Sequence, residues 1–221
     1  MSVSGNNVAV LAARAARLMS SGERKILGIA GAPGAGKSTL AATLAHAMVD
    51  GGLATADSIA IVPMDGFHLA DVELERLGIS DRKGAPETFD VVGYAALLAR
   101  LRNDLEPTIY APAFDRIIEQ AIAGAIPVAP SVRLVITEGN YLLHDADGWA
   151  DIGSQLAEVW FCEPEDELRR QRLVQRHVEF GKTADEAHEW VLSVDEPNTE
   201  LVQRYRDRAD VVLKSWSPLV G

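Results

Sequence analysis

One cysteine, Cys162, is all that the 221 residues contain, so neither an intrachain disulfide nor a zinc site built on cysteines can form within the chain. Basic residues are scarce too: 21 lysines and arginines stand against 32 aspartates and glutamates, a formal net charge of −11. That balance excludes a general binder of nucleic acid or of anionic membranes, whose surface must be basic to neutralise phosphates, but it permits a local basic pocket. No stretch approaches the ~18 apolar residues of a membrane span. The apolar residues Val8–Ala13 are followed at once by Arg14 and Arg17 and preceded by nothing basic, which predicts an amphipathic helix rather than a secretory leader. Internal repeats, low-complexity tracts and long linkers are missing as well. The expectation is a cytoplasmic protein forming a single domain over residues 1–221, with neither nucleic acid nor membrane as a partner.

What remains is an ordinary globular composition, 48% hydrophobic and 24% charged, too apolar for a disordered chain. A chain of this length buries roughly 70% of its unfolded surface, enough to fold without disulfides or a structural metal. Short β-branched runs alternate with longer helical ones. Strands are predicted at Ile26–Ala30, Ser58–Pro63, Thr108–Ala111, Arg133–Thr137, Glu158–Cys162 and Ala209–Lys214. Helices are predicted near 37–48, 69–77, 93–103, 148–156, 165–180 and 184–194, the first from Leu40, Leu44 and Met48 at four-residue spacing. Apolar strands alternating with helices predict an α/β fold, a parallel sheet covered on both faces.

Gly31-Ala32-Pro33-Gly34-Ala35-Gly36-Lys37-Ser38, followed by Thr39, fits G-x-x-x-x-G-K-[ST] in full, after a predicted strand and at the opening of a helix. Glycines let backbone N–H groups turn inward around phosphate oxygens, and the helix offers its positive end to the same anion. Lys37 is placed to reach the β- and γ-phosphates of ATP, and the Ser38 hydroxyl to ligate Mg2+. The guanine-reading Asn-Lys-x-Asp run is missing, which favours a small-molecule kinase over a switch GTPase.

Two strand ends carry acids that would face the same phosphates, because ligands of open α/β sheets collect beyond the carboxyl ends of the strands. Asp65, in Pro63-Met64-Asp65-Gly66-Phe67-His68, is the candidate to orient an acceptor hydroxyl and take its proton. Glu138, ending Leu134-Val135-Ile136-Thr137-Glu138, would serve either the metal or the acceptor hydroxyls. His68, Asn140 and Tyr141 are candidates for the pocket lining.

These segments, with Arg82-Lys83-Gly84-Ala85-Pro86-Glu87-Thr88-Phe89-Asp90, Tyr110-Ala111-Pro112-Ala113-Phe114-Asp115-Arg116 and Glu138-Gly139-Asn140-Tyr141-Leu142-Leu143, occur in one order. The series resembles the phosphoribulokinase/uridine kinase/pantothenate kinase family of P-loop kinases, and within it the bacterial fructose transport system kinases, over about residues 23–214. The resemblance implies ATP- and Mg2+-dependent transfer of a phosphoryl group to a small-molecule hydroxyl, with Asp65 as the base. It also implies that the segments holding Lys83 and Arg116 border the acceptor.

Arg169, Arg170, Arg172 and Arg176 cluster on one predicted helix, and Arg169, Arg172 and Arg176 share a face of it. Such arginines suit a lid, about residues 164–195, that closes over phosphates and neutralises charge on the transferred group. Arg172-x-x-x-Arg176-His177 resembles the family's lid segment, and on that ground Arg172 and Arg176 are the chosen pair. Asn198 resembles an asparagine that follows the lid in such kinases. The leading acceptor is a sugar such as fructose, on resemblance alone. A nucleoside, for which Phe67, Phe89, Tyr110 and Phe114 offer stacking rings, and pantothenate stay open, as does a regulatory module that hydrolyses ATP slowly. A homodimer is the remaining expectation about partners.

Overall fold

The computed structural model describes residues 6–146, 148–214 and 216–217. In chain order its principal elements are α1 (Val8–Leu18), β1 (Lys25–Gly31), α2 (Lys37–Asp50), β2 (Ile59–Ile61), α3 (Asp71–Leu77), α4 (Val91–Asn103), β3 (Ile109–Asp115), β4 (Gln120–Val128), β5 (Leu134–Gly139), α5 (Ala150–Gly153), β6 (Glu158–Cys162), α6 (Asp166–Glu179), α7 (Ala184–Trp190), α8 (Glu196–Gln203) and β7 (Val211–Leu213). Five strands form one parallel sheet in the order β2-β5-β1-β6-β7.

β1 and β5 read as unbroken apolar runs because both of their faces are covered. Ile26 and Ala30 of β1 pack into a cluster with Tyr94, Leu98 and Leu101 of α4. Leu27 and Ile29, pointing the other way, pack with Leu11 and Ala15 of α1 and with Leu40, Leu44 and Met48 of α2. The early apolar stretch is thus an amphipathic helix, with Val8, Leu11, Ala12 and Ala15 turned inward. Arg24 is buried at the far end of this sheet, donating to the carbonyls of Val132 (3.0 Å), Leu101 (3.1 Å) and Ala129 (2.8 Å). It ties the end of α4 to the segment entering β5.

Two predictions need correction. Thr108–Ala111 is the start of β3, which lies outside the main sheet and pairs antiparallel with β4, a strand that alternation with helices did not predict. The helix near 148–156 shrinks to the four residues of α5. After α7 the backbone passes through a π-helical turn, Val191–Asp195, directly into α8. Such turns insert one residue and redirect side chains, frequently at functional sites.

Register sets the site. Ile29 pairs with Glu138 and Ala30 with Gly139, so the loop leaving β1 emerges beside Glu138. β2 lies on the other side of β5, and the turn Met64–Phe67 that follows it carries Asp65 to the same edge.

Candidate active site

The loop Gly31–Ser38 joins β1 to α2, and Gly34 and Gly36 take φ angles of 76° and 85° there, in the left-handed region. A Cβ on Gly34 would come within 2.7 Å of Leu173 Cγ and 2.8 Å of the Arg169 carbonyl, so α6 rests directly on the loop. Lys37 is buried, and its Nζ donates to the Ala32 carbonyl at 3.0 Å and to Asn140 Oδ1 at 2.7 Å. Burial pulls its ammonium below the usual lysine range, and the nearby Glu138 charge opposes that.

Glu138 is also buried and accepts from the Ser38 hydroxyl at 2.8 Å. Burial first, then the charge of Asp65, push its carboxyl above the ordinary value, while Lys37 pulls it back. The Ser38 hydroxyl and Glu138 carboxylate are hard oxygen donors of the kind magnesium takes. Among the described residues no three His, Cys, Asp or Glu groups converge. This sparse donor set fits a cation that completes its shell with water and phosphate oxygens.

Asp65 faces the same cavity and accepts from Arg116 Nη2 at 3.0 Å. Gly66 allows this arrangement by close approach: a Cβ there would sit 2.5 Å from the Pro112 carbonyl. The β3–β4 hairpin therefore lies on the turn that holds Asp65. His68 Nδ1 donates to the Asp65 carbonyl at 2.8 Å, which fixes the tautomer with Nε2 as an acceptor. Its ring is held between Phe89 (4.1 Å) and Phe114 (4.7 Å), and burial lowers its pKa against the opposing charge of Asp65, which favours the neutral ring. Lys83 is tied to Asp71 Oδ1 (2.6 Å) and to the Glu119 carbonyl (2.7 Å).

A cavity of about 450 Å³ brings together Lys37, Ser38, Asp65, Glu138, Asn140 and Arg176, with His68, Lys83 and Arg116 also in its wall. Arg176 is drawn below its usual pKa by burial and by the charge of Arg116, with Asp195, Asp65 and Glu138 opposing. Arg172 lies elsewhere, exposed, in a second cavity of about 710 Å³ with Ala35, Gly36, Thr39 and Lys214. The chosen lid pair is therefore divided between two cavities. Arg169, on the same helix, is buried and bonds Glu196 and Asp166, which makes it an anchor for α6. Tyr141 is the other departure: it is buried behind the wall, its hydroxyl donating to the Gly84 carbonyl at 2.6 Å.

Among the cavity residues to which sequence reasoning gave no role are His177 and Asp195, which meet at 2.8 Å. They stand 18 positions apart, His177 on α6 and Asp195 at the end of the π-helical turn. Asn198, on α8, reaches the cavity as well. Cys162 is buried at the end of β6, where burial pushes its thiol up to about 12.

No protein-family model matches the chain. A Schizosaccharomyces pombe protein named "Putative uridine kinase" is 33% identical over 207 residues, covering 91% of this chain and 87% of that one. An Aspergillus versicolor protein named as an ATP-dependent kinase-like protein is 34% identical over 166 residues, 71% of this chain and 96% of its own. The crystal structure of a "putative fructose transport system kinase" from a Silicibacter species superposes with a TM-score of 0.83 and 37% identity, covering 95% of this chain and 100% of that one. On this sequence similarity, and with its parallel sheet and glycine-rich phosphate loop, the chain belongs to the phosphoribulokinase/uridine kinase/pantothenate kinase family of P-loop kinases.

Proposed function

We propose that the protein transfers the γ-phosphate of ATP to a hydroxyl of a small polyol, with a sugar such as fructose as the leading acceptor. The observation that carries this reading is the meeting of Asp65 with Lys37 and Ser38 in one cavity. A carboxylate facing a phosphate-binding loop is what phosphoryl transfer to an alcohol requires.

In this reading the loop amides and Lys37 hold the triphosphate. Ser38 and Glu138 would hold Mg2+, which when bound would neutralise charge on the phosphates. Asp65 accepts a hydrogen bond from the acceptor hydroxyl, aligns it in line with the γ-phosphorus and takes its proton as the new P–O bond forms and the bond from the γ-phosphorus to the departing ADP oxygen breaks. Arg176, from α6, faces the transferring group and stabilises charge that spreads onto its oxygens. His68 presents a fixed acceptor nitrogen, and Lys83 and Arg116 present donors, to the remaining hydroxyls. Arg172 with Thr39 serves the nucleotide from the second cavity.

Ring placement supports a polyol over a nucleobase. Phe89 is buried with His68 on its face, and Phe114 has His68 on one side with Lys83 and Arg116 near its ring. Phe67 and Tyr110 do not line the cavity. Two rings favour the nucleoside reading: Phe180, half-exposed in the cavity wall just beyond α6, and Trp190, partly exposed in the same wall with Lys182 Nζ 4.4 Å from its ring centre. ATP consumption with magnesium across fructose, other sugars, polyols, nucleosides and pantothenate decides between them. A signal with a sugar or polyol supports the proposal. A signal confined to nucleosides replaces the acceptor class, and a flat panel with ATP still bound points to the regulatory module.

A further inference from the structure

Two hydrogen bonds made by neighbouring residues connect the phosphate loop with the segment that borders the acceptor. Lys37 Nζ donates to Asn140 Oδ1 at 2.7 Å. Tyr141 follows Asn140 directly in the sequence, and its hydroxyl donates to the Gly84 carbonyl at 2.6 Å. The direction of both bonds is fixed. An ammonium has no acceptor and a carbonyl no donor, so Asn140 must accept through its oxygen and Tyr141 must donate its single proton to Gly84.

The second of these bonds anchors a loop that is bonded to itself. Gly84 N–H donates to Thr88 Oγ1 at 3.0 Å, that hydroxyl donates to the Ala85 carbonyl at 2.7 Å, and Ala85 N–H donates to the Arg82 carbonyl at 2.9 Å. Lys83, in the cavity wall, is the residue before the anchored carbonyl. Tyr141 itself is 1% exposed, with its ring edge-on to Phe89 and Trp149, and it does not line the cavity. Its hydroxyl thus lies outside the cavity, yet it holds the loop 82–89 from the position next to Asn140, which bonds Lys37.

We propose that Asn140 and Tyr141 are positioning residues that couple the phosphate site at Lys37 to the acceptor loop 82–89. Nucleotide bound at Lys37 orders the loop through Asn140, Tyr141 and Gly84. By reciprocity, an acceptor that orders the loop tightens nucleotide binding by the same factor. The identity of the acceptor rests on the proposed kinase reading; the ordering of the loop by nucleotide does not.

Hydrogen exchange of the segment 82–89 tests this, with and without a saturating non-hydrolysable ATP analogue and magnesium. Tyr141→Phe removes the hydroxyl and keeps the ring packing. In the unmodified protein the analogue should slow exchange of this segment about fivefold or more. In Tyr141→Phe the analogue should bind within about threefold of the unmodified affinity, with that slowing abolished. Asn140→Ala, which removes the bond from Lys37 at a side chain lining the cavity, should also abolish it and serves if Tyr141→Phe folds poorly. Slowing that persists in a folded variant, or that is missing from the unmodified protein, overturns the proposal. Intact slowing beside a flat acceptor panel would sink the kinase reading and leave the coupling standing.

Discussion

Arg116 Nη2 donates to Asp65 Oδ2 at 3.0 Å, so a guanidinium just past the end of β3 is paired with the carboxylate that follows β2. The pair is open to water, 42% exposed at Arg116 and 26% at Asp65, so its worth to stability is below about 1 kcal/mol. Its worth to a reaction is larger, because it fixes the orientation of the proposed base. Arg116→Ala should leave the melting temperature nearly unchanged and lower kcat/KM by about tenfold or more. Arg116→Lys should recover only part of the loss, since an ammonium lacks the guanidinium fork. Steady-state kinetics beside thermal melts measure both.

Glu138 predicts a pH dependence. Burial and the charge of Asp65 raise its carboxyl above the ordinary 4.5. The folded protein therefore holds this proton more tightly than the unfolded chain does. The associated stability is fully present below the ordinary value and is lost as pH rises through the folded one. Glu138→Gln, always neutral, should raise the urea midpoint of the ligand-free protein at neutral pH. That advantage should vanish as pH falls to 4.5 and below. Urea titrations of both proteins across this range check the sign.

Gly66 is a steric test. An added Cβ would sit 2.5 Å from the Pro112 carbonyl, which is backbone and has little room to yield. Gly66→Ala should cost about 1–3 kcal/mol of stability and raise the acceptor KM, because the hairpin carrying Arg116 must lift from the turn holding Asp65. Denaturant midpoints and acceptor titrations measure the two effects.

Arg169 and Arg172 should separate cleanly. Arg169 is 1% exposed and bonded to Glu196 and Asp166, so Arg169→Ala should cost about 2 kcal/mol or more. Arg172 is exposed beside Thr39, and Arg172→Ala should change stability by less than about 0.5 kcal/mol. Its effect should fall on nucleotide affinity, as read by calorimetric titration.

The parts of the site legible in the sequence are those encoded over a few consecutive residues. The phosphate loop, Asp65 and Glu138 each sit where an apolar run ends, and a parallel sheet brings such ends together without further information. β4 was not legible. Ala121–Ile126, alanines and isoleucines around Gly124, is largely exposed and pairs with β3 outside the main sheet, so the alternation of core strands with helices gives it no place. Periodicity put Arg169, Arg172 and Arg176 on one face of α6, but the contact between Leu173 and Gly34 decides how that face divides around the loop. Tyr141 reads equally well as core or pocket, and only the position of the Gly84 carbonyl assigns its hydroxyl.

The role of Asp65 is the centre of the proposed chemistry, and Asp65→Asn tests it most directly. The amide keeps the size and can still bond Arg116 through its oxygen, but it cannot take a proton. With the best acceptor from the panel, single-turnover phosphoryl transfer should slow by about a hundredfold or more, while ATP affinity stays within about threefold. Transfer at the unmodified rate in Asp65→Asn would contradict the assignment.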